Sequence, residues 1–121
     1  MDGYLFNRQK NHNVSGSKRM ITATDDQTLI AAPGALETIY IQKLHIEITT
    51  ASATTWSFID NASVPITRAV DVSTIGHVDI DFGPEGVPLT QANSFVLNVG
   101  ATGAAGWITW EAYRKRTAVG N

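Results

Sequence analysis

The chain contains no cysteine. Disulfides, a thiol nucleophile and any zinc site built on thiolates are thereby excluded. A chain without thiols is indifferent to redox conditions, so its compartment stays open. Charge is sparse as well. Asp, Glu, Lys and Arg make up 17% of the 121 residues, whereas apolar residues make up 43%. That balance excludes a disordered, tail-like chain and fits one packed domain. A domain of this size buries a real core without disulfides or a structural metal. Long apolar runs are missing too. None approaches the roughly 20 residues that span a bilayer, and no membrane partner is expected. The opening run Met1-Asp2-Gly3-Tyr4-Leu5-Phe6-Asn7-Arg8 lacks the apolar core of a secretory leader. The expectation is a protein made and left in the cytoplasm of its producing cell.

What charge there is falls unevenly. Residues 1–24 hold Arg8, Lys10, Lys18 and Arg19 against Asp2, a net +3. Residues 114–121 hold Arg114, Lys115 and Arg116, again +3. The body between them sets Lys43 and Arg68 against ten acidic residues, a net −8. Basic ends therefore flank an acidic body. They either keep the protein soluble or lie on an acidic surface, whether a neighbouring copy or another protein. No Lys/Arg cluster interleaves with aromatics on one element, so no nucleic-acid partner is expected.

Residues 1–20 are rich in Asn, Gln, Lys, Arg, Ser and Gly, and no apolar period runs through them. They read as an extended N-terminal arm that orders only when tied to something. Residues 21–116 read as the folded domain and 117–121 as a flexible tail. Strand patterns begin at Met20-Ile21-Thr22-Ala23 and Gln27–Ala31. The longest runs from Glu37 to Thr50. Its apolar positions are Ile39 and Ile41, then Leu44, Ile46 and Ile48. A strand has a side-chain period of two, so this parity flip predicts a β-bulge or a corner near Gln42-Lys43. Further strands are expected over Thr54–Asp60, Val64–Val70, His77–Phe82, Val87–Leu89, Phe95–Val99 and Trp107–Arg114. Gly100–Gly106 reads as a hairpin loop. About eight strands separated by Gly/Pro/Asn turns, with no helical period, predict an all-β antiparallel sandwich or jelly-roll-like barrel.

Chemistry has little to build on. No Ser sits in a Gly-x-Ser-x-Gly elbow, and His12, His45 and His77 are scattered over the chain. The chain is therefore read as no enzyme, with no catalytic residues and no cofactor. His77, Asp79 and Asp81 share one strand face, as do His45 and Glu47. Alternate strand residues lie about 6.6 Å apart, too far for all three of the first set to share one ion on a straight strand. A solvated face is the preferred reading, and no metal site is assigned. Asp79 and Asp81 meet the spacing of paired glycosidase carboxylates, but so do solvent-facing acids in most β proteins. Gly100–Gly106 opens no helix and so is no phosphate loop. Trp107 and Trp110 have opposite parity. One belongs to the core and the other is partly exposed or at a subunit contact; together with Trp56 the two could alternatively form a sugar-stacking platform, but a core role is the preferred reading.

Three pieces of the chain resemble a known family. They are Thr28-Leu29-Ile30-Ala31-Ala32-Pro33-Gly34-Ala35 leading into Ile39-Tyr40-Ile41; Ala53-Thr54-Thr55-Trp56-Ser57-Phe58; and Gly83-Pro84-Glu85-Gly86-Val87-Pro88-Leu89 followed by Ala92–Val99. Together they are similar to the small β-sandwich structural proteins of tailed bacteriophages, of the capsid decoration or cementing type. The resemblance spans residues 27 to 113 and rests on turn chemistry and Thr/Ala/Gly-rich strands. It implies a virion location, with the major capsid protein or other virion proteins as partners, and a homo-oligomer, a trimer foremost. It also implies an arm reaching over neighbours. Tyr4, Leu5 and Phe6 would be its apolar anchors and Arg8, Lys10, Lys18 and Arg19 its charge contacts, with Arg114, Lys115 and Arg116 a second basic contact. The alternative is a carbohydrate- or receptor-binding β module.

Overall fold

The computed structural model describes residues 12–20, 26–99 and 103–116. Among them lie ten strands and no helix. In chain order they are β1 (His12–Asn13), β2 (Gly16–Met20), β3 (Gln27–Ile30), β4 (Glu37–Thr50), β5 (Thr55–Asp60), β6 (Val70–Asp71), β7 (Gly76–Asp81), β8 (Val87–Pro88), β9 (Phe95–Val99) and β10 (Ala105–Arg116). They form two antiparallel sheets, so the expected β-sandwich is the fold. The larger sheet runs β1-β10-β4-β7, with β2 beside β1 on β10 and β8 beside β7 on β4. The smaller runs β3-β9-β5-β6.

The core lies between the sheets. Ile39, Ile41, Leu44, Ile46 and Ile48 of β4 and Ile108, Trp110 and Ala112 of β10 come from one side. Trp56 and Phe58 of β5 and Phe95, Leu97 and Val99 of β9 come from the other. Phe58 and Phe95 stack with ring centroids 6.0 Å apart. The parity flip in β4 is a bulge, as expected. Lys43 faces Glu111 and Ile41 faces Ala112, which leaves Gln42 as the extra residue. Both apolar sets of β4 thus reach the same core. A second irregularity, at Ala105/Gly106, brings β10 hard against β4. A Cβ on Gly106 would sit 1.8 Å from the Glu47 carbonyl oxygen, so only glycine fits there.

Three expectations are corrected. Val64–Val70 is not a strand. Only Val70–Asp71 pairs with β5, and Pro65 makes a single bridge to Ile59. The reason is Asp60, whose side chain is buried at 1% exposure. Its Oδ1 accepts from the Ala62 and Val64 amides at 2.8 and 3.1 Å, and its Oδ2 from the Thr90 amide at 3.2 Å. The Val64 amide is thereby taken by a side chain and not by the β5 backbone, and only the Ile66 amide and the Val64 carbonyl bond β5 around the Pro65–Ile59 bridge. Second, β9 and β10, expected to form a hairpin about residues 100–106, do not pair and belong to different sheets; residues 100–102 lie outside the described residues. Third, the arm expected over 1–20 lies partly outside the described residues, at 1–11. Its described part, 12–20, is built into the larger sheet as β1 and β2.

Candidate interaction face

The two sides of the larger sheet differ sharply. Along β10, Ile108, Trp110 and Ala112 point into the core, while Trp107, Thr109 and Glu111 point out. Trp110 is 6% exposed and Trp107 43%. Trp110 is fixed on every side. Its Nε1–H donates to the Val14 carbonyl at 2.8 Å, and Gly16 leaves room for its ring. Trp107 stands on the outer face, in a cross-strand row with Arg19 on β2, Glu47 on β4 and His77 on β7. The next row is Ser17, Thr109, His45 and Asp79. A third sets Glu111, Lys43 and Asp81 side by side. The outer face is thus an exposed aromatic ring among charged and polar side chains, carried on rigid paired strands.

Register brings together side chains that lie far apart in sequence. His45 faces Asp79 across the β4–β7 pair, and Glu47 faces His77. His45 Nδ1 hydrogen-bonds to Asp79 Oδ1, and His77 Nε2 lies 3.8 Å from Asp79 Oδ2. The two imidazoles stack at 5.6 Å between centroids. The bond from His45 is the main cause that holds the Asp79 carboxyl below its ordinary value, with the two imidazole charges adding to it. Beside this cluster is a shallow depression of about 320 Å³, lined in part by Lys43, His45, Asp79, Asp81, Thr109 and Glu111. Among the described residues no group of three or more His, Asp or Glu side chains is placed to hold a metal ion.

Beyond the bulge the same face continues as a cation–aromatic stack. Tyr40 and Tyr113 lie parallel at 5.0 Å, and Lys115 Nζ sits 4.9 Å from the Tyr40 ring centroid. The Tyr113 hydroxyl donates to the Glu85 carbonyl at 2.6 Å. Arg114 lies on the opposite parity. Its Nη1 meets Glu37 Oε1 at 3.2 Å, and that oxygen also accepts the Gly34 amide at 3.0 Å.

The residues singled out in sequence are therefore distributed as follows. Tyr4, Leu5, Phe6, Arg8 and Lys10 lie outside the described residues. Lys18 and Arg19 sit on β2, with Arg19 exposed on the outer face and Lys18 half-buried on the other. Arg114 and Lys115 are engaged within the chain, by Glu37 and Tyr40, and Arg116 ends β10 opposite Glu37. The outer rows around Trp107 and the His45–Asp79 pair were visible only as separate same-face sets. Opposite parity marked one tryptophan as outward, but nothing local identified which strand would lie beside it.

No family model and no curated protein matches the chain. Among solved structures, it is similar to the virus-like particle of extra small virus from the giant freshwater prawn Macrobrachium rosenbergii. The identity is 8% and the TM-score 0.41, over 90% of this chain and 81% of that one. It is also similar to a family two carbohydrate esterase from Cellvibrio japonicus, at 11% identity and a TM-score of 0.33. There the match covers 88% of this chain and only 34% of the other. Likenesses this distant carry no functional argument.

Proposed function

We propose that this chain is a structural protein of a virion, of the decoration or cementing type, and not an enzyme. It docks on the assembled shell through the outer face of its larger sheet. The observation that carries the reading is Trp107, 43% exposed on a paired strand and flanked by Arg19 on β2 and Glu47 on β4, with His77 one strand further along the same row. An aromatic anchor inside a polar rim is the usual anatomy of a protein contact. The turn and strand pattern over residues 27 to 113 supports the choice of partner, a capsid protein. Replacing an anchor of this kind removes roughly 2 kcal/mol of binding, close to thirtyfold in affinity. Trp107→Ala is therefore expected to leave the fold intact and to strip most of the protein from purified particles. Unchanged occupancy would refute the reading.

A second reading rests on the same ring. Trp107 beside Arg19, Thr109 and Glu47 is also a stacking platform with hydrogen-bonding neighbours, as a glycan would need. Titrating the isolated protein with oligosaccharides while following tryptophan fluorescence separates the two. A saturable change abolished by Trp107→Ala favours the glycan, and a flat titration favours the shell.

A further inference from the structure

The larger sheet ends in two edges of opposite charge. Among the described residues, β2 pairs with β10 alone and β7 with β4 alone. Each therefore presents a row of backbone groups along its outer side. The β2 edge carries Lys18 and Arg19, and the β7 edge carries Asp79 and Asp81. Val78 and Ile80, on the inner side of β7, pack against the core yet remain only partly buried. The β7 edge thus combines unpaired backbone, incompletely covered apolar side chains and negative charge.

Charged edges commonly serve to stop strands from pairing. Here the sign matters. Two β7 edges brought together oppose Asp79 and Asp81 to their own copies, and two β2 edges oppose Lys18 and Arg19 to theirs. A β7 edge against a β2 edge opposes unlike charges. Direction agrees with charge. β2, β10, β4 and β7 are related by three successive antiparallel pairings. β2 and β7 therefore run in opposite senses, and a copy set alongside meets β7 with an antiparallel β2.

We infer that the β7 edge of one copy pairs with the β2 edge of a second copy, with Arg19 of one against the Asp79–Asp81 row of the other. Keeping the parity that puts Arg19 and Asp79 on the outer face puts Met20 and Lys18 on the same side as Val78 and Ile80. The added strand covers those two apolar side chains. The contact is heterologous, so it propagates from copy to copy until it closes into a ring or continues as a chain. It concerns the sheet edges, although Arg19, the cross-strand neighbour of Trp107, belongs to both surfaces.

The test is light scattering on the full chain and two charge-swapped variants over a range of concentrations. Lys18→Glu with Arg19→Glu makes both edges acidic, and Asp79→Lys with Asp81→Lys makes both basic. Wild type is expected to associate. Each variant alone is expected to lose at least about tenfold in association constant, and an equimolar mixture to recover it. Circular dichroism checks that each variant is folded. If a swap does not fold, Arg19→Gln and Asp79→Asn take its place, with weakened association expected in each. A wild type that stays monomeric throughout, or association unchanged by the swaps, would overturn the inference. Trp107→Ala is expected to leave association unchanged while stripping the protein from particles, which separates this contact from shell docking.

Discussion

Two tryptophans three residues apart on β10 face opposite worlds. Trp110 has its indole nitrogen bonded to Val14, its ring against Gly16, and 6% of its surface exposed. Trp107 has 43% exposed, among side chains of both charge signs. Alternation alone placed them on opposite sides. What differs is what each side demands. The inner face selects for shape and satisfied polar atoms, and the outer face leaves its ring available to something else. On this account Trp110 contributes to stability and Trp107 to binding.

Substitutions at buried positions should cost more stability than the one at Trp107. Trp110→Ala is expected to have the largest effect, about 3–5 kcal/mol of lost stability in a denaturant titration. That is a large fraction of the roughly 5–15 kcal/mol that holds an ordinary domain folded. Gly106→Ala comes next, since its Cβ would overlap the Glu47 carbonyl oxygen at 1.8 Å and force β10 from β4. A loss of about 1–3 kcal/mol is expected by the same measurement.

Asp60→Asn is of similar size at neutral pH but depends on pH. Burial pushes the Asp60 carboxyl up, but hydrogen bonds from Thr90, Val64 and Ala62 outweigh it and hold the group below its ordinary value of 3.8. A carboxyl whose folded value is depressed stabilises the fold above its unfolded value. That contribution fades as pH falls through the folded value. At neutral pH the variant should lose about 1–3 kcal/mol, because an amide cannot accept all the backbone donors. The gap to wild type should narrow in melts taken below about pH 4. A gap that widened toward acid would refute the assignment. Trp107→Ala should move stability least, within about 0.5 kcal/mol of wild type.

The same division explains what was legible in the sequence. The bulge at Gln42 was readable because a period of two admits no parity flip, so Ile41 and Leu44 reach one core only if a residue is left over. The strands around Trp56, Phe95 and Ile108 were readable from alternation. Gly16–Met20 was not. Gly-Ser-Lys-Arg-Met has no apolar alternation, and it is a strand because β10 offers it an edge. Val64–Val70 looked like a strand because its residues are β-prone, but the Asp60 carboxylate takes the Val64 amide and only a single bridge to Ile59 forms. The loop after Val99 looked like a hairpin because small residues suit one, but which sheet the next strand joins is decided by packing. The candidate face was half legible. His45 with Glu47, and His77 with Asp79, were visible as same-face sets. Their meeting across β4 and β7 depends on register, which tertiary structure sets.

The most direct test of the contrast is to compare Trp107→Ala with wild type for both stability and binding in the same preparation. Thermal melts should superimpose, while occupancy on purified particles should fall close to thirtyfold in affinity terms. A lowered melting temperature with unchanged occupancy would instead make Trp107 a part of the fold and contradict the account.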